Sequence, residues 1–358
     1  MNTLLLAAGL LSFLTVLFGT PYARKYLLSS GIYGRDQQKT DKPKLATSGG
    51  TVVLFGLLFS VTAFLGISSL FDTSVNVELV LASLCSINII ALIGLIDDIH
   101  VGKGIEAESP TDQLLEVMDV FGSDVEFQKG DIDRIGLSQF KKMMFVLPAV
   151  FPLMAVGAGS WTMYFPVIGA INWGIIYPLV LLPLGLLFVS NVVNMLAGTN
   201  GLSTGMSLIA AIGLGVFALL NNRIEAALIA FSLSGALLGF LMYNWYPASI
   251  LPGDSLTYLS GAALFSVMVL GNIEKFGVFV FLPWIIEFFL KLRSGFDAHS
   301  WGILQPDGTL KSQHDSVYSL THIFMRKGFN EEEITISLML VQCLIVAAGL
   351  FLFQFLGL

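Results

Sequence analysis

The stretch PLVLLPLGLLFVSNVVNMLAGTNGLSTG, residues 178–205, contains both features that decide how this chain folds. Its first half is almost purely apolar, whereas its second half holds Asn191, Asn194 and Asn200 among several Gly and Ala residues. The apolar half is typical of a helix that crosses a membrane, since a span needs about 20 mainly apolar residues. The polar half predicts a turn at the membrane boundary that belongs to a functional site.

The composition indicates an integral membrane protein. The chain has 358 residues, of which 55% are hydrophobic and 12% charged, and its mean hydropathy is +0.81. Soluble domains carry about 25% charged residues, roughly twice this share. We therefore expect the lipid bilayer, and no nucleic acid, as a partner. Cys85 and Cys343 lie in apolar runs, so we interpret them as small buried hydrophobes.

Ten apolar stretches predict an all-α, polytopic fold with about ten transmembrane helices in a single transmembrane domain, residues 1–358. Only helices and closed barrels satisfy the backbone polar groups within lipid. The first stretch lacks the basic start and the cleavage site of a signal peptide, so we treat it as a span. The predicted spans are 3–20, 49–67, 78–96, 143–158, 172–192, 204–220, 224–243, 256–272, 275–291 and 336–356.

The basic residues predict the orientation of these spans. Of the 18 Lys and Arg residues, all but Arg223 and Lys275 lie in residues 21–48, 97–142 and 291–335. These three segments fall on one face when ten spans alternate in direction, and positively charged loops favour the cytoplasm. Both termini are therefore predicted to be non-cytoplasmic. The polar motifs share the basic face, so we expect a cytoplasmic active site.

Two acidic motifs stand at predicted membrane boundaries. Asp97 and Asp98 end the third span, and Asp254 lies in a Pro- and Gly-rich turn before the eighth. Carboxylates in such places can bind Mg²⁺, which prefers oxygen ligands, or act as a base. The alternatives are a solvated helix end for the pair and, for Asp254, a helix cap that accepts from the amides of Leu256 or Thr257.

The asparagine motif also has two interpretations. Asn191 and Asn194 are three residues apart and share a helix face, while Gly198, Asn200 and Gly201 form a turn into the next span. Amide oxygens can ligate Mg²⁺ without adding charge, carboxamides can read a nucleobase edge, and glycines admit a flat ligand. The alternative is interhelical hydrogen bonding beside a glycine loop.

Two predicted cytoplasmic loops differ in composition. The loop 101–139 carries nine acidic and three basic residues, and we expect a solvated acidic insert with a short amphipathic helix and no chemical role. The loop 292–335 has scattered histidines without zinc spacing. Its basic residues are either interfacial anchors or cations for phosphate groups.

Four motifs make the chain resemble the polyprenyl-phosphate N-acetylhexosamine-1-phosphate transferases: NVVNMLAGTNGLSTG (191–205), IGLIDDIH (93–100), NWYPASILPGDSLTYLSG (244–261) and GRDQQKTDKPKLATSGG (34–50). The resemblance covers about residues 20 to 350 and is greatest to the branch of archaea and eukaryotes that makes dolichyl-diphosphate-GlcNAc. It implies transfer of GlcNAc-1-phosphate from UDP-GlcNAc to dolichyl phosphate with release of UMP. Mg²⁺ is the implied cofactor, with Mn²⁺ as a substitute. The resemblance is also compatible with a homodimer.

The resemblance also implies roles for individual residues. Asn194 and Asp254 would ligate Mg²⁺, and Asp97 and Asp98 would form an acidic pair near the acceptor phosphate or the metal. Lys142 would contact the diphosphate, and Lys39 the acceptor. Gly198 and Asn200 would contact uracil, with Asn191 as their support in the substrate site. In the loop 292–335, Arg293 and His299 would contact the sugar and the diphosphate.

Two departures leave alternatives open. AGTNG replaces the DGLDG of bacterial relatives, so Ala197 offers no carboxylate, and KLRSGFDAHSWG (291–302) has neither the bacterial histidine cluster nor the eukaryotic arginine pair. The alternative substrate is undecaprenyl phosphate in a bacterial-type enzyme of cell-envelope synthesis. A transporter is the alternative of another class, although interior charges are few. An archaeal plasma membrane and an endoplasmic reticulum membrane both fit.

Overall fold

The computed structural model describes residues 1–71, 75–99, 146–165 and 169–355. Helices form most of this part of the chain, and their order follows. They are α1 (Asn2–Ser29), α2 (Gly50–Leu70), α3 (Val77–Ile99), α4 (Phe151–Ala155), α5 (Leu182–Met195), α6 (Leu202–Leu220), α7 (Ile224–Asn244), α8 (Gly253–Gly271), α9 (Glu274–Val280), α10 (Leu282–Leu292), α11 (Leu320–Met325) and α12 (Glu331–Leu350). A 3₁₀ turn over Leu147–Val150 precedes α4, and π turns lie at Tyr177–Leu181 before α5 and at Phe351–Phe355 after α12.

Eight helices of the described residues are long and apolar enough to cross a membrane, each at a predicted span. They are α1, α2, α3, α5 with its π turn, α6, α7, α8 and α12 with its π turn. The protein is therefore a polytopic all-α membrane protein, as predicted. The span 143–158 lies only partly within the described residues, so the count of ten remains a prediction.

The predicted span 275–291 is not one continuous helix. It is divided into α9 and α10, which meet at Phe281. Pro283 lies in the first turn of α10, where its missing N–H is tolerated, whereas inside a longer helix its ring would clash with a carbonyl one turn earlier. The apolar pattern predicts the extent of this segment, and the proline explains the break.

In the described part of the chain, three short antiparallel strand pairs lie between the helices, and the hydropathy pattern does not predict them. They are β1 (Tyr33–Arg35) with β2 (Lys44–Ala46), β3 (Thr162–Phe165) with β4 (Gly169–Asn172), and β5 (Gly302–Leu304) with β6 (Leu310–Ser312). β4 ends at Asn172, the first residue of the predicted span 172–192, and a turn follows it, so the helical part of that span begins only at Tyr177.

Helix α8 is the centre of the bundle. In its most apolar window 89% of the residues are buried, against 28% for α1 and 22% for α12. It packs against α3, α5 and α7, and small residues permit the close approach, as membrane helices commonly require. A Cβ on Gly261 would lie only 2.5 Å from the Cα of Ser190 in α5.

Three helix pairs have the relative directions that the predicted alternation requires. Gly9 and Leu17 of α1 contact Phe231 and Tyr243 of α7 in the same order, so these two helices are parallel. The same holds for α6 and α12, whereas α3 and α8 are antiparallel, with the end of one at the start of the other. The described polar motifs therefore share one end of the bundle. Both described termini lie at the other end, and which end is cytoplasmic remains a prediction.

The interpretation of the two cysteines as buried is wrong. The side chains of Cys85 in α3 and Cys343 in α12 are both exposed free thiols on the outside of the bundle. In a membrane protein the surface that faces lipid is as apolar as the core. Hydrophobic neighbours in the sequence therefore do not distinguish a core position from a lipid-facing one.

Candidate active site

The start of α8 is capped by a carboxylate from another helix. Asp98, at the end of α3, accepts hydrogen bonds from the backbone N–H of Asp254 (2.7 Å) and of Ser255 (3.1 Å). These amides belong to the first turn of α8, where a helix has no internal acceptors for its N–H groups. The cap that the sequence allowed for Asp254 is thus supplied by Asp98, and Asp97 lies buried beside it.

Three glycines let α3 and α2 approach this helix start. A Cβ on Gly94 of α3 would lie 2.6 Å from the carbonyl oxygen of Asp254, and one on Gly50 of α2 would overlap the backbone of Leu256. Gly253 has a φ of +69°, and a Cβ there would overlap the carboxylate of Asp98. Any larger side chain would force the helix ends apart, so these glycines place the carboxylates.

The asparagines of α5 face the same helix start. The hydroxyl of Thr257 donates to Oδ1 of Asn194 (3.0 Å) and lies 3.2 Å from the carbonyl oxygen of Asp254. One turn earlier, the hydroxyl of Tyr258 contacts Oδ1 of Asn191 at 3.4 Å, while Nδ2 of Asn191 donates to a carbonyl of its own helix. Thr257 thus links the side chain of Asn194 to the backbone of Asp254, so the two predicted Mg²⁺ ligands lie at the same helix start.

The oxygen donors at this place fit a hard cation. The described residues contain no group of three His, Cys, Asp or Glu side chains that could hold a metal by themselves. Mg²⁺ is commonly bound by one or two carboxylates, with water and substrate phosphates completing its shell. The Asp254 carboxylate and the Asn194 amide oxygen suit that mode, so Mg²⁺ binding here stays a prediction that the donor set favours.

A second polar cluster ties three segments together beside the turn 196–201. Asn200 is buried, its N–H donates to Glu331 of α12 (2.8 Å), and its Nδ2 donates to Asp36 (3.0 Å). Its carbonyl accepts from the hydroxyl of Thr335 at 3.0 Å. The amide of Gln38 donates to the carbonyl of Gly198. We call Asp36, Gln38, Lys39, Gly198, Asn200 and Glu331 the turn cluster.

Lys39 belongs to this turn cluster. Its ammonium donates to Glu331, lies 3.6 Å from Asp36 and stands 4.2 Å from the ring centroid of Tyr246. The sequence predicts that Lys39 contacts the acceptor and that Asn200 contacts uracil, yet both side chains share Glu331 and Asp36. The structure therefore places Lys39 beside the residues predicted for the nucleotide.

Gly198 has a structural reason to be glycine. A Cβ at this position would overlap the carbonyl of Ser300 in the loop 292–335. The hydroxyl of Ser300 in turn lies 2.8 Å from the carbonyl of Met195 at the end of α5. The turn and the loop are thus packed backbone to backbone, and a uracil contact at Gly198 stays a prediction.

A buried carboxylate in α10 anchors the loop 292–335. Glu287 accepts from the N–H of Leu320 (2.7 Å) and from the hydroxyl of Ser300 (3.3 Å), and Lys291 lies 3.9 Å away. The two predicted sugar-site residues of this loop, Arg293 and His299, are both exposed. Arg293 lies 5.9 Å from the ring of Tyr318, and the ring of His299 stacks on Trp301 at 5.2 Å.

His322 is a buried histidine within that loop. Its Nδ1 accepts from the N–H of Tyr318 (3.3 Å), so Nε2 carries the proton and donates to the carbonyl of His299 (2.8 Å). Burial lowers the pKa of His322 to about 4, because desolvation penalises the charged ring. The side chain is therefore a neutral support for the backbone at His299.

Several site residues were not found from the sequence. Glu331 lies in NEEEITI (330–336), where Asn330 and Glu333 form a capping box, so the local pattern predicts only a helix start. Asp36 and Gln38 lie inside the motif GRDQQKTDKPKLATSGG (34–50), but the sequence predicted no role for them. Lys142 and the loop 101–139 lie outside the described residues.

Comparison with known proteins is consistent with this geometry. The model of glycosyl transferase family 4 matches residues 80–272, more than half of the chain and including Asp98, Asn194 and Asp254. A protein of Saccharolobus solfataricus, provisionally named a UDP-N-acetylglucosamine–dolichyl-phosphate N-acetylglucosaminephosphotransferase, is 31% identical over 92% of this chain and 90% of its own length. A Sulfolobus acidocaldarius protein with the same provisional name is 29% identical over 93% and 91%.

A bacterial relative covers less of the chain. The phospho-N-acetylmuramoyl-pentapeptide-transferase of Prochlorococcus marinus is 32% identical over 51% of this chain and 51% of its own length. The family match and the near full-length relatives give the same result. The chain belongs to glycosyl transferase family 4.

Proposed function

We propose that this protein transfers GlcNAc-1-phosphate from UDP-GlcNAc to dolichyl phosphate, which yields dolichyl-diphosphate-GlcNAc and UMP, the first lipid-linked step of N-glycan assembly. The observation that carries the proposal is the similarity over nine-tenths of both chains to archaeal relatives that bear this name. The cluster of Asp98, Asp254 and Asn194 at the start of α8 supports it, because phosphoryl transfer depends mainly on positioning and charge neutralisation.

The reaction joins two phosphates at the membrane surface. An oxygen of the acceptor phosphate forms a bond to the phosphorus that carries GlcNAc, and the bond from that phosphorus to UMP breaks. Asp254 and Asn194 would hold Mg²⁺, which supplies positive charge for the diphosphate oxygens when it is bound. We assign Lys142 to the leaving phosphate, the turn cluster to the nucleotide, and Arg293 and His299 to the sugar.

The surroundings of Asp98 favour direct attack by the acceptor. A two-step version would need Asp98 as a nucleophile and a phosphorylated aspartate as an intermediate. Both carboxylate oxygens of Asp98 already accept backbone N–H groups, which makes them weaker nucleophiles, and bond formation to phosphorus would weaken the cap of α8. Incubation with labelled UDP-GlcNAc without acceptor should leave the protein unlabelled, and a trapped phosphoaspartate would overturn direct attack.

The test of the proposed function is a turnover assay with purified protein in detergent. Labelled UDP-GlcNAc, dolichyl phosphate and Mg²⁺ should give a lipid-linked GlcNAc-diphosphate and UMP, and EDTA should abolish the product, with Mn²⁺ restoring part of it. Parallel reactions with UDP-GalNAc and with undecaprenyl phosphate rank the substrates. A preference for undecaprenyl phosphate would indicate the bacterial-type reaction, whereas the absence of product with every pair would overturn the proposal.

The proposed function also predicts the orientation of the site and the membrane that holds the enzyme. The site would face the cytoplasm, where UDP-GlcNAc is soluble, in an archaeal plasma membrane or an endoplasmic reticulum membrane. Membership of glycosyl transferase family 4 argues against a transporter, the alternative of another class. Proteoliposomes that accumulated a solute without consuming UDP-GlcNAc would favour the transporter.

A further inference from the structure

The first turn of α12 carries three successive acidic residues with three different surroundings. Glu333 is exposed and completes the capping box with Asn330. Glu332 accepts from the indole N–H of Trp245 at 3.2 Å. Glu331 is only 4% exposed and points into the turn cluster. Acidic residues in a first helical turn are favourable in general, but that effect does not require one of them to be buried.

The two carboxylate oxygens of Glu331 bind two different segments of the proposed site. Oε1 accepts from the N–H of Asn200 at 2.8 Å, and Oε2 accepts from the ammonium of Lys39. These partners lie 131 and 292 positions away in the sequence. One side chain therefore relates the turn 196–201 to the segment that carries Lys39.

Without Glu331, the other contacts of Lys39 would not fix the position of its ammonium group. Asp36 is 3.6 Å from the ammonium, beyond hydrogen-bond distance, and the ring of Tyr246 offers only its face at 4.2 Å. An ammonium has three donors and a flexible four-carbon stem. Glu331 thus provides the directional contact that determines where this positive charge stands.

The attachment of α12 to the turn does not depend on Glu331. Thr335, one turn further along α12, donates to the carbonyl of Asn200 (3.0 Å) and contacts the hydroxyl of Thr199 (2.8 Å). The helix start has its own cap from Asn330 and Glu333. Burial of the Glu331 carboxylate carries a desolvation cost, and its specific effect in this fold is to fix Lys39 against Asn200.

We propose that Glu331 is a positioning residue for the nucleotide half of the site: it holds the Lys39 ammonium and the Asn200 N–H in one fixed relation to bound UDP-GlcNAc. The inference rests on the proposed function, since it assumes that the turn cluster receives the nucleotide. Glu331 acts through Lys39 and Asn200, without contact to the reacting phosphates. Its loss should therefore weaken nucleotide binding more than it slows the chemical step.

Glu331→Gln tests this, with Glu333→Gln as the matched control. The glutamine keeps one oxygen for Asn200 and turns an NH₂ group toward the ammonium, so Lys39 alone is released. A charge-assisted hydrogen bond of this kind corresponds to about a tenfold rise in the KM for UDP-GlcNAc, with kcat within about threefold. Glu333→Gln retains the capping box and should keep both constants, since Gln serves at this position as well as Glu.

A second measurement follows Lys39 without any substrate. Brief acetylation followed by mass spectrometry should modify Lys39 less than the exposed Lys42 in the wild-type protein. In Glu331→Gln the labelling of Lys39 relative to Lys42 should rise, and in Glu333→Gln it should not. In the double variant with Lys39→Met, the rise in KM should be no larger than in Lys39→Met alone, because residues that act through one contact are not additive.

The outcomes separate the inference from the proposed function. A wild-type enzyme that turns over, together with an unchanged KM or unchanged Lys39 labelling in Glu331→Gln, overturns the inference and leaves the function standing. A tenfold fall of kcat in Glu331→Gln with an unchanged KM also overturns the inference. A wild-type protein that neither turns over nor binds UDP overturns the proposed function and the inference with it.

Discussion

Asp98 combines two properties that are usually found on different residues, since it is part of the proposed site and also the cap of α8. Its two oxygens hold the N–H groups of Asp254 and Ser255. The carboxylate therefore determines where Asp254 stands. A substitution at Asp98 should change the stability of the fold as well as the activity.

Asp98→Asn should lower the free energy of unfolding by about 1–3 kcal/mol, because an amide NH₂ would face a backbone donor and leave it without an acceptor. Thermal unfolding in detergent measures this, and turnover should be lost as well. Glu78→Gln is the control, since Glu78 is exposed at the opposite end of α3. A variant at Asp98 as stable as this control would contradict the capping role.

Asp254→Ala should reduce kcat by at least about 100-fold, as removal of a group that stabilises transition-state charge commonly does. The variant should stay folded, because the cap uses the backbone N–H of Asp254 and not its side chain. Mn²⁺ binding followed by electron paramagnetic resonance should weaken in parallel. Arg223→Ala, an exposed residue at the other end of the bundle, should change neither quantity, and full activity in Asp254→Ala would remove the metal assignment.

His322 should make the fold sensitive to mild acid. Its pKa in the folded protein is about 4, below the usual value of about 6.5, so the unfolded chain binds a proton first as the pH falls. Stability should be full above about pH 6.5 and decrease down to about pH 4. His322→Gln should flatten this slope in thermal unfolding measured across that range. An equal flattening in His314→Gln would show that the effect does not come from His322.

At the scale of elements, the position of the site depends on how closely α2, α3 and α8 meet. Gly50 and Gly66 both belong to α2, but only Gly50 faces another backbone. A Cβ at Gly50 would overlap the start of α8, whereas a Cβ at Gly66 would meet nothing within 4 Å. The same substitution in one helix thus has two different consequences.

Gly50→Ala should destabilise the protein by about 1–3 kcal/mol, because an added methyl in a close contact forces the helices apart. It should also reduce turnover by displacing Asp254 relative to Asn194. Gly66→Ala should be neutral or stabilising by up to about 1 kcal/mol, since alanine favours a helix over glycine. Thermal unfolding of both variants checks the pair, and equal melting temperatures would contradict the role of Gly50.

At the scale of the whole molecule, the parallel and antiparallel contacts place the described polar motifs at one end and both described termini at the other. The positive-inside rule then predicts that the proposed site is cytoplasmic. Neither the contacts nor the charges alone lead to this result. The contacts show which segments share an end, and the charges indicate which end that is.

Sealed vesicles of known orientation can test this arrangement. A membrane-impermeant maleimide should label a single cysteine introduced at Asp307 from the cytoplasmic side, and one introduced at Asn2 only from the opposite side. Cys85 and Cys343 would first be replaced by Ser, because both thiols are exposed. Labelling of both introduced positions from the same side would show that the predicted topology is wrong.

Local sequence patterns predicted the membrane class, eight of the spans and a shared end for the polar motifs, and they selected Asp98, Asn194 and Asp254 as candidates for the site. Hydropathy and charge act on each segment separately, so these features can be read without knowing its neighbours. The cap that Asp98 provides for α8, the position of Lys39 beside Asn200, and the link that Glu331 makes between those two residues all come from tertiary contacts. Those contacts connect residues 131 to 292 positions apart, and a local pattern carries no information about which distant backbone will supply a partner.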